Sequence, residues 1–118
     1  MYKRQVDDGL EFIASRMKDA SSSVMSHMAI GTGSSAAAAS DTTLGTEAAR
    51  VALTSTTVTA NAVAYVASFA AGTGTGAITE AGILNNSSGG SLLCRTVFSV
   101  INKGASDSMT ITWTITIS

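Results

Sequence analysis

Hydrophobic and polar positions alternate most regularly near the end of the chain, where Met109, Ile111, Trp113, Ile115 and Ile117 are separated by Thr110, Thr112, Thr114 and Thr116. A period of two with β-branched residues on both faces predicts a strand. Ten extended residues would run roughly 33 Å, with Trp113 as an anchor in the core. The stretch GAITEAGILNNSSGGSLLCRTVFSVI predicts a long hairpin, with arms over 77–84 and 91–101. Its turn, Asn85-Asn86-Ser87-Ser88-Gly89-Gly90, is rich in residues that accept positive φ or bond back to their own backbone. In the second arm Leu92, Cys94, Phe98 and Val100 fall on one face and Leu93, Val97 and Ile101 on the other, so this strand is expected to be covered on both sides.

Weaker patterns complete the picture. Val63, Tyr65, Ala67 and Phe69 share a face over 63–69, a strand expected to pair with 56–59 across an Ala60-Asn61 turn. Shorter strands are expected over 24–30 and 47–53. The low-complexity stretch SSAAAASDTTLGT between them reads as an ordered loop, because Ser, Gly and Asp flank its alanines. Turns are expected over 71–76 and 102–108. The first residues differ: eight of the fifteen charged side chains lie in the first nineteen positions. There Val6, Leu10, Ile13 and Met17 make one stripe of an amphipathic helix. Asp7, Asp8 and Glu11 precede Arg16 and Lys18, the order that a helix dipole favours. Such a helix, about sixteen residues and roughly 24 Å long, would end at Ser21-Ser22-Ser23. It either packs on its own sheet or reaches a neighbour. The expected fold is mainly β, an antiparallel β-sandwich (jelly-roll-like or barrel-like) with one N-terminal α-helix. It is a single domain over 1–118, with a helical segment at 1–22 and the sandwich at 23–118.

Composition changes the picture in one respect. Charged residues make up 13% of the 118, about half the usual share of roughly 25%. So few charges point to a surface covered by other subunits. The net charge of −1 leaves no electrostatic footprint for nucleic acid or an anionic membrane. No secretory leader is expected from the first residues, and no apolar run reaches the roughly 18–20 residues of a membrane span. A lone cysteine, Cys94, fits synthesis in a reducing cytoplasm.

Candidate chemistry is sparse. His27 is the only histidine, and a single imidazole makes neither a triad nor a three-histidine zinc site. Cys94 lies in the most apolar strand, and its one charged neighbour, Arg95, points to the other face. Gly72-Thr73-Gly74-Thr75-Gly76 has neither the spacing nor the following lysine of a phosphate loop and leads into a strand. Asp41, Glu47, Glu80 and Asp107 are scattered. Glu47, Arg50, Glu80 and Arg95 interrupt apolar strands and are expected to pair, within or between subunits, because an isolated buried charge is costly. No catalytic residue, cofactor site or metal ligand set emerges, and the expectation is a protein that is not an enzyme.

Several segments together resemble a known group. They are Ala29-Ile30-Gly31-Thr32-Gly33, Asp41-Thr42-Thr43-Leu44-Gly45-Thr46-Glu47, Ile78-Thr79-Glu80-Ala81-Gly82-Ile83-Leu84, Leu92-Leu93-Cys94-Arg95-Thr96-Val97-Phe98, Asn102-Lys103-Gly104 and the closing Thr/Ile strand. In this order they resemble small structural proteins of tailed bacteriophages, related to the particle-attaching N-terminal domain of tail-collar fibres. The resemblance covers essentially the whole chain. Such relatives often carry prolines in the loop over 34–40, after Phe69 and after Phe98; this chain has none. The resemblance implies a virion component without enzymatic activity, made in the host cytoplasm. The first expectation is a capsid decoration (cement) protein, a homotrimer bound to the major capsid protein. The second is a tail, collar or fibre-adaptor protein. A third, a glycan-binding module, would need Tyr65 and Trp113 as exposed platforms. Under the first two, the expected interface residues are Val6, Leu10, Ile13, Met17, Arg50, Glu80 and Arg95.

Overall fold

The C-terminal alternation becomes strand β8, Met109–Thr116, once it is placed beside its neighbours in a computed structural model that describes residues 2–18 and 23–117. The other elements, in chain order, are β1 (Tyr2–Gln5), α1 (Asp7–Lys18), β2 (His27–Gly31), β3 (Glu47–Ala52), β4 (Ser55–Thr59), β5 (Ala62–Phe69), β6 (Gly76–Leu84) and β7 (Leu92–Lys103). The strands form two antiparallel sheets, β1-β7-β6-β2-β3 and β4-β5-β8. The fold is mainly β and sandwich-like with one short N-terminal helix, as the sequence pattern implies.

The smaller sheet shows how directly alternation sets the faces. Tyr65 stands opposite Trp113, Ala67 opposite Ile111 and Phe69 opposite Met109. This face meets Met28, Ile30, Ile78, Ala81, Ile83, Leu93 and Cys94 of the larger sheet in the main core. Its other face is a field of small and hydroxyl side chains interrupted by Val66, from Thr57 and Thr59 through Ala64 and Ser68 to Thr110, Thr112, Thr114 and Thr116. Strands β4 and β5 pair across Ala60-Asn61 as expected.

The hairpin of β6 and β7 lies inside the larger sheet, and half of it is covered on both sides. Residues 92–96 and 80–84 are buried, whereas 99–102 are exposed. The second face is closed by a small cluster of Val6, Ala29, Leu44, Leu84 and Leu92. Strict alternation fails at a register shift between Ile83 and Leu84. There the ladder adds a residue, so Leu93 and Cys94 both join the main core and Leu92 turns to the smaller cluster. The two-face assignment of Leu92 and Leu93 is corrected accordingly.

The segment 1–22 is not helical throughout. Tyr2–Gln5 form a strand along β7, with Tyr2 opposite Val97 and Gln5 opposite Cys94. The helix is twelve residues long; of the expected Ser21-Ser22-Ser23 stop, the first two residues lie outside the described ones. The expected stripe is also displaced. Val6 is fully buried but precedes the helix, while Leu10 and Met17 are 52% and 81% exposed. The inward side carries Gly9, buried, and Phe12 and Ile13, half-buried against the core. Gly9 sets the fit, because a Cβ there would run into the Leu93 carbonyl oxygen. Asp8, in the first turn, accepts a hydrogen bond from the Leu92 amide at 2.9 Å. Helix and sheet thus meet backbone to backbone, and small polar residues mark the contact that apolar periodicity misses. Gly9→Ala is expected to lift α1 from β7 and cost about 1–3 kcal/mol, read as a lower Tm with faster amide exchange in α1.

Candidate functional site

The charges that interrupt the apolar strands are brought together in two places. Glu80 on β6 and Arg95 on β7 lie on the sheet face opposite the main core, 0% and 2% exposed. Arg95 Nε donates to Glu80 Oε1 at 2.9 Å. The Gly45 amide donates to the same oxygen at 2.7 Å. The amides of Gly33 and Thr46 donate to Oε2 at 2.7 and 2.8 Å. One carboxylate therefore accepts four hydrogen bonds, three of them from the two ends of the loop between β2 and β3.

Arg95 completes the clamp. Its remaining nitrogens reach Asp41 Oδ2 and the Ser35 carbonyl oxygen, both at 3.0 Å. Asp41 also accepts from the Ala38 amide at 2.9 Å, and the Thr79 hydroxyl donates to the Gly33 carbonyl at 2.7 Å. The low-complexity loop is thus ordered through its own backbone, held by side chains from β6, β7 and the loop itself. Burial pushes the Glu80 carboxyl up. The amides of Thr46 and Gly45, the Arg95 guanidinium and the Gly33 amide outweigh that and hold it below the usual carboxylate range.

The second place is the hairpin turn. Arg50 on β3 makes a two-pronged pair with Glu47, at 2.7 and 2.9 Å, and donates to the carbonyl oxygens of Asn86 and Gly89, each at 2.9 Å. A single guanidinium therefore fixes the β6–β7 turn against the edge of the sheet. The expected pairing of charges is realised within the subunit, as Glu47 with Arg50 and Glu80 with Arg95.

Of the expected interface residues, Val6, Glu80 and Arg95 are buried within the chain. Arg50 is committed to the turn and Ile13 to the core. Only Leu10 and Met17 stand clearly outward. Sequence reading missed Lys103. It is 3% exposed, and its ammonium donates to the carbonyl oxygens of Ala70 and Asp107 at 2.9 and 2.8 Å, tying the end of β7 to the turn after β5. Its signal was a lysine between an apolar run and a glycine in Asn102-Lys103-Gly104, where a surface turn was expected.

The remaining candidates have structural surroundings. Cys94 is buried. His27 is half-buried at the start of β2, with Nδ1 2.7 Å from the Ser26 hydroxyl. Gly72, Gly74 and Gly76 have φ of 83°, 70° and 139°, the conformations that let the chain turn from β5 into β6. Trp113 is buried and Tyr65 half-buried beside it; burial, and then the nearby Cys94, push the Tyr65 hydroxyl up. Among the described residues, no group of three or more His, Cys, Asp or Glu side chains is placed to hold a metal, and no helix is long and apolar enough to cross a membrane.

One concavity is an apolar groove of about 550 Å³ where β7 and β8 diverge, lined by Phe98, Ile101, Met109, Ile111 and Trp113 with Ala81, Thr96 and Ser99. A smaller one, about 290 Å³, lies between α1 and the smaller sheet. The elements define a two-sheet antiparallel β domain with one N-terminal helix, its buried charges Glu80, Arg95 and Lys103 spent on holding backbone. No family model, no curated protein and no solved structure matches the chain.

Proposed function

We propose that this chain is a bacteriophage virion structural protein, a capsid decoration (cement) protein that stabilises the shell through self-association and contacts with the major capsid protein. One observation carries the reading. Glu80, Arg95 and Lys103, from the segments that bear the resemblance to phage structural proteins, are all consumed inside the fold. The surface, beside a few charges, offers large apolar side chains: Leu10, Met17, Val24, Val58, Val100, Ile101 and Ile117. A small protein with few charges, three of them buried, that exposes large apolar residues works by contact with other subunits. Leu10 and Met17 are then the apolar side chains that α1 leaves exposed for docking, Met17 beside the groove between the helix and the smaller sheet. A tail, collar or fibre adaptor is the alternative, and it rests on the same surface. The glycan-binding reading finds no such support, since Tyr65 and Trp113 turn toward the core.

The test is the copy number in purified particles, measured by mass spectrometry against the major capsid protein. Hundreds of copies fit decoration, a handful in multiples of three or six fits the tail or collar, and absence overturns the virion reading. Leu10→Asp should fold with stability changed by less than about 0.5 kcal/mol yet enter particles several-fold less. Unchanged incorporation would remove α1 from the interface.

A further inference from the structure

We propose that the outer edge of β8, together with the groove between β7 and β8, is where a second copy of this chain docks. The inference deepens the reading of a self-associating protein by naming the surface. In the smaller sheet β8 is an edge strand, paired only with β5 among the described residues. The Ile117 amide donates to the Asn61 carbonyl, and the Ile117 carbonyl accepts from the Asn61 side chain, both at 2.8 Å, so this residue's backbone faces β5. Antiparallel ladders alternate. The backbones of Ile115, Trp113, Ile111 and Met109 therefore face β5 too, and the N–H and C=O groups of Thr110, Thr112, Thr114 and Thr116 point outward.

Edge strands of monomers are normally blunted by lysine, proline, a bulge or short length. Strand β8 has eight residues, no charge, no proline and an unbroken register with β5. Beside it, β7 is flanked by β1 only over 94–97, which leaves its outer edge without a strand partner over 98–102 among the described residues. Between these two edges lies the groove.

The occupant follows from pattern, charge and size. The groove's lining carries no charged side chain, so it offers a charged partner nothing to pair with. A second β8 matches it. Run antiparallel, it sets Thr beside Thr on one face and Ile and Trp beside their like on the other, continuing the sheet while its apolar side covers Phe98, Ile101 and Met109. In a closed ring the same edge would lie on the free part of β7 in the next copy. Eight extended residues give an edge about 27 Å long. Two sheets about 10 Å apart, with side chains beyond each, make it about 20 Å deep. That is roughly 500–600 Å² in projection, approaching the approximately 800 Å² per partner of a stable interface.

Two measurements decide it. Analytical ultracentrifugation of the purified chain should give a small multiple of 11.9 kDa, and Thr114→Pro should give the monomer with unchanged circular dichroism. Proline there removes only an outward N–H, which an edge strand tolerates. Hydrogen exchange on the unaltered protein needs no variant: the amides of Thr110, Thr112, Thr114 and Thr116 should exchange at least about a hundredfold more slowly than free-edge amides, and lose that protection on dilution. A monomer at high concentration, fast exchange at these four amides, or a folded Thr114→Pro that still associates would each overturn the proposal. Because none of this involves particles, its failure is separate from that of the virion reading.

Discussion

Replacing Arg95 by alanine is expected to lower the unfolding free energy by about 3–5 kcal/mol, the cost of removing one partner from a buried ion pair. For a chain of this size the Tm would drop by on the order of 12–20 °C. The comparison is Arg50→Ala, whose pairing with a partly exposed Glu47 should cost only about 1 kcal/mol. The damage at Arg95 should also be local in a recognisable way. The amides of Gly33, Gly45 and Thr46 should exchange faster, because the loop they belong to loses its hold on Ser35 and Asp41. Exchanging both Glu80 and Arg95 for apolar residues should not restore stability, since those three amides would then lack their acceptor. The pH dependence follows from the same geometry. Glu80 titrates below its unfolded value, so its contribution is fully present above the ordinary carboxylate range of about 4.3 and is lost as pH falls through the folded value. Acid unfolding of the wild type should steepen there, and Glu80→Gln should remove that component. An Arg95→Ala protein as stable as the wild type would mean that the loop is held by something other than this clamp.

Trp113→Ala is the second large effect, expected to cost about 3–5 kcal/mol. Trp113 is 4% exposed, stands opposite Tyr65 across the β5–β8 ladder and packs into the main core. Truncation leaves a void that a sheet cannot easily collapse, because its neighbours are fixed by the ladder on one side and the facing sheet on the other. Thr112→Ala, one position away on the opposite face, should change stability by no more than about 0.5 kcal/mol. Chemical denaturation of the two variants checks the assignment of faces: a larger loss for Thr112→Ala than for Trp113→Ala would mean that β8 presents its alternation the other way round.

What the sequence made legible, and what it hid, divides along physical lines. Alternation is a local signal, and it identified β8 and β5 because each has one face buried over a long run, whereas the β6–β7 hairpin was legible from its turn residues and from apolar residues on both faces of its second arm. Strand β1 was hidden because Tyr2-Lys3-Arg4-Gln5 has no apolar alternation; its pairing with β7 is a tertiary event. The inner side of α1 was hidden because Gly9, which sets the contact with Leu93, scores as nothing on a hydrophobic scale. The stripe through Leu10 and Met17 was therefore drawn about one position away from the true contact side. That the interrupting charges would pair was legible from the cost of burying them singly. That Glu80 and Arg95 would also organise a loop more than thirty residues upstream was not, since it depends on backbone amides that every residue carries alike.

The clamp has a bearing on how this protein can vary. Between β2 and β3 the chain is positioned through main-chain atoms: the amides of Gly33, Ala38, Gly45 and Thr46, and the carbonyls of Gly33 and Ser35. Apart from Asp41 and Leu44, the side chains in that stretch add little to holding it, and Ser34, Ser35, Ala36, Ala38 and Ser40 face solvent. Its shape and its chemistry are therefore independent properties. The shape is written in Glu80 and Arg95, far away in the sequence, so mutation can rewrite the exposed residues while the scaffold beneath stays as it is. Two distant charged side chains thus give a run of serine and alanine the role of an interchangeable label.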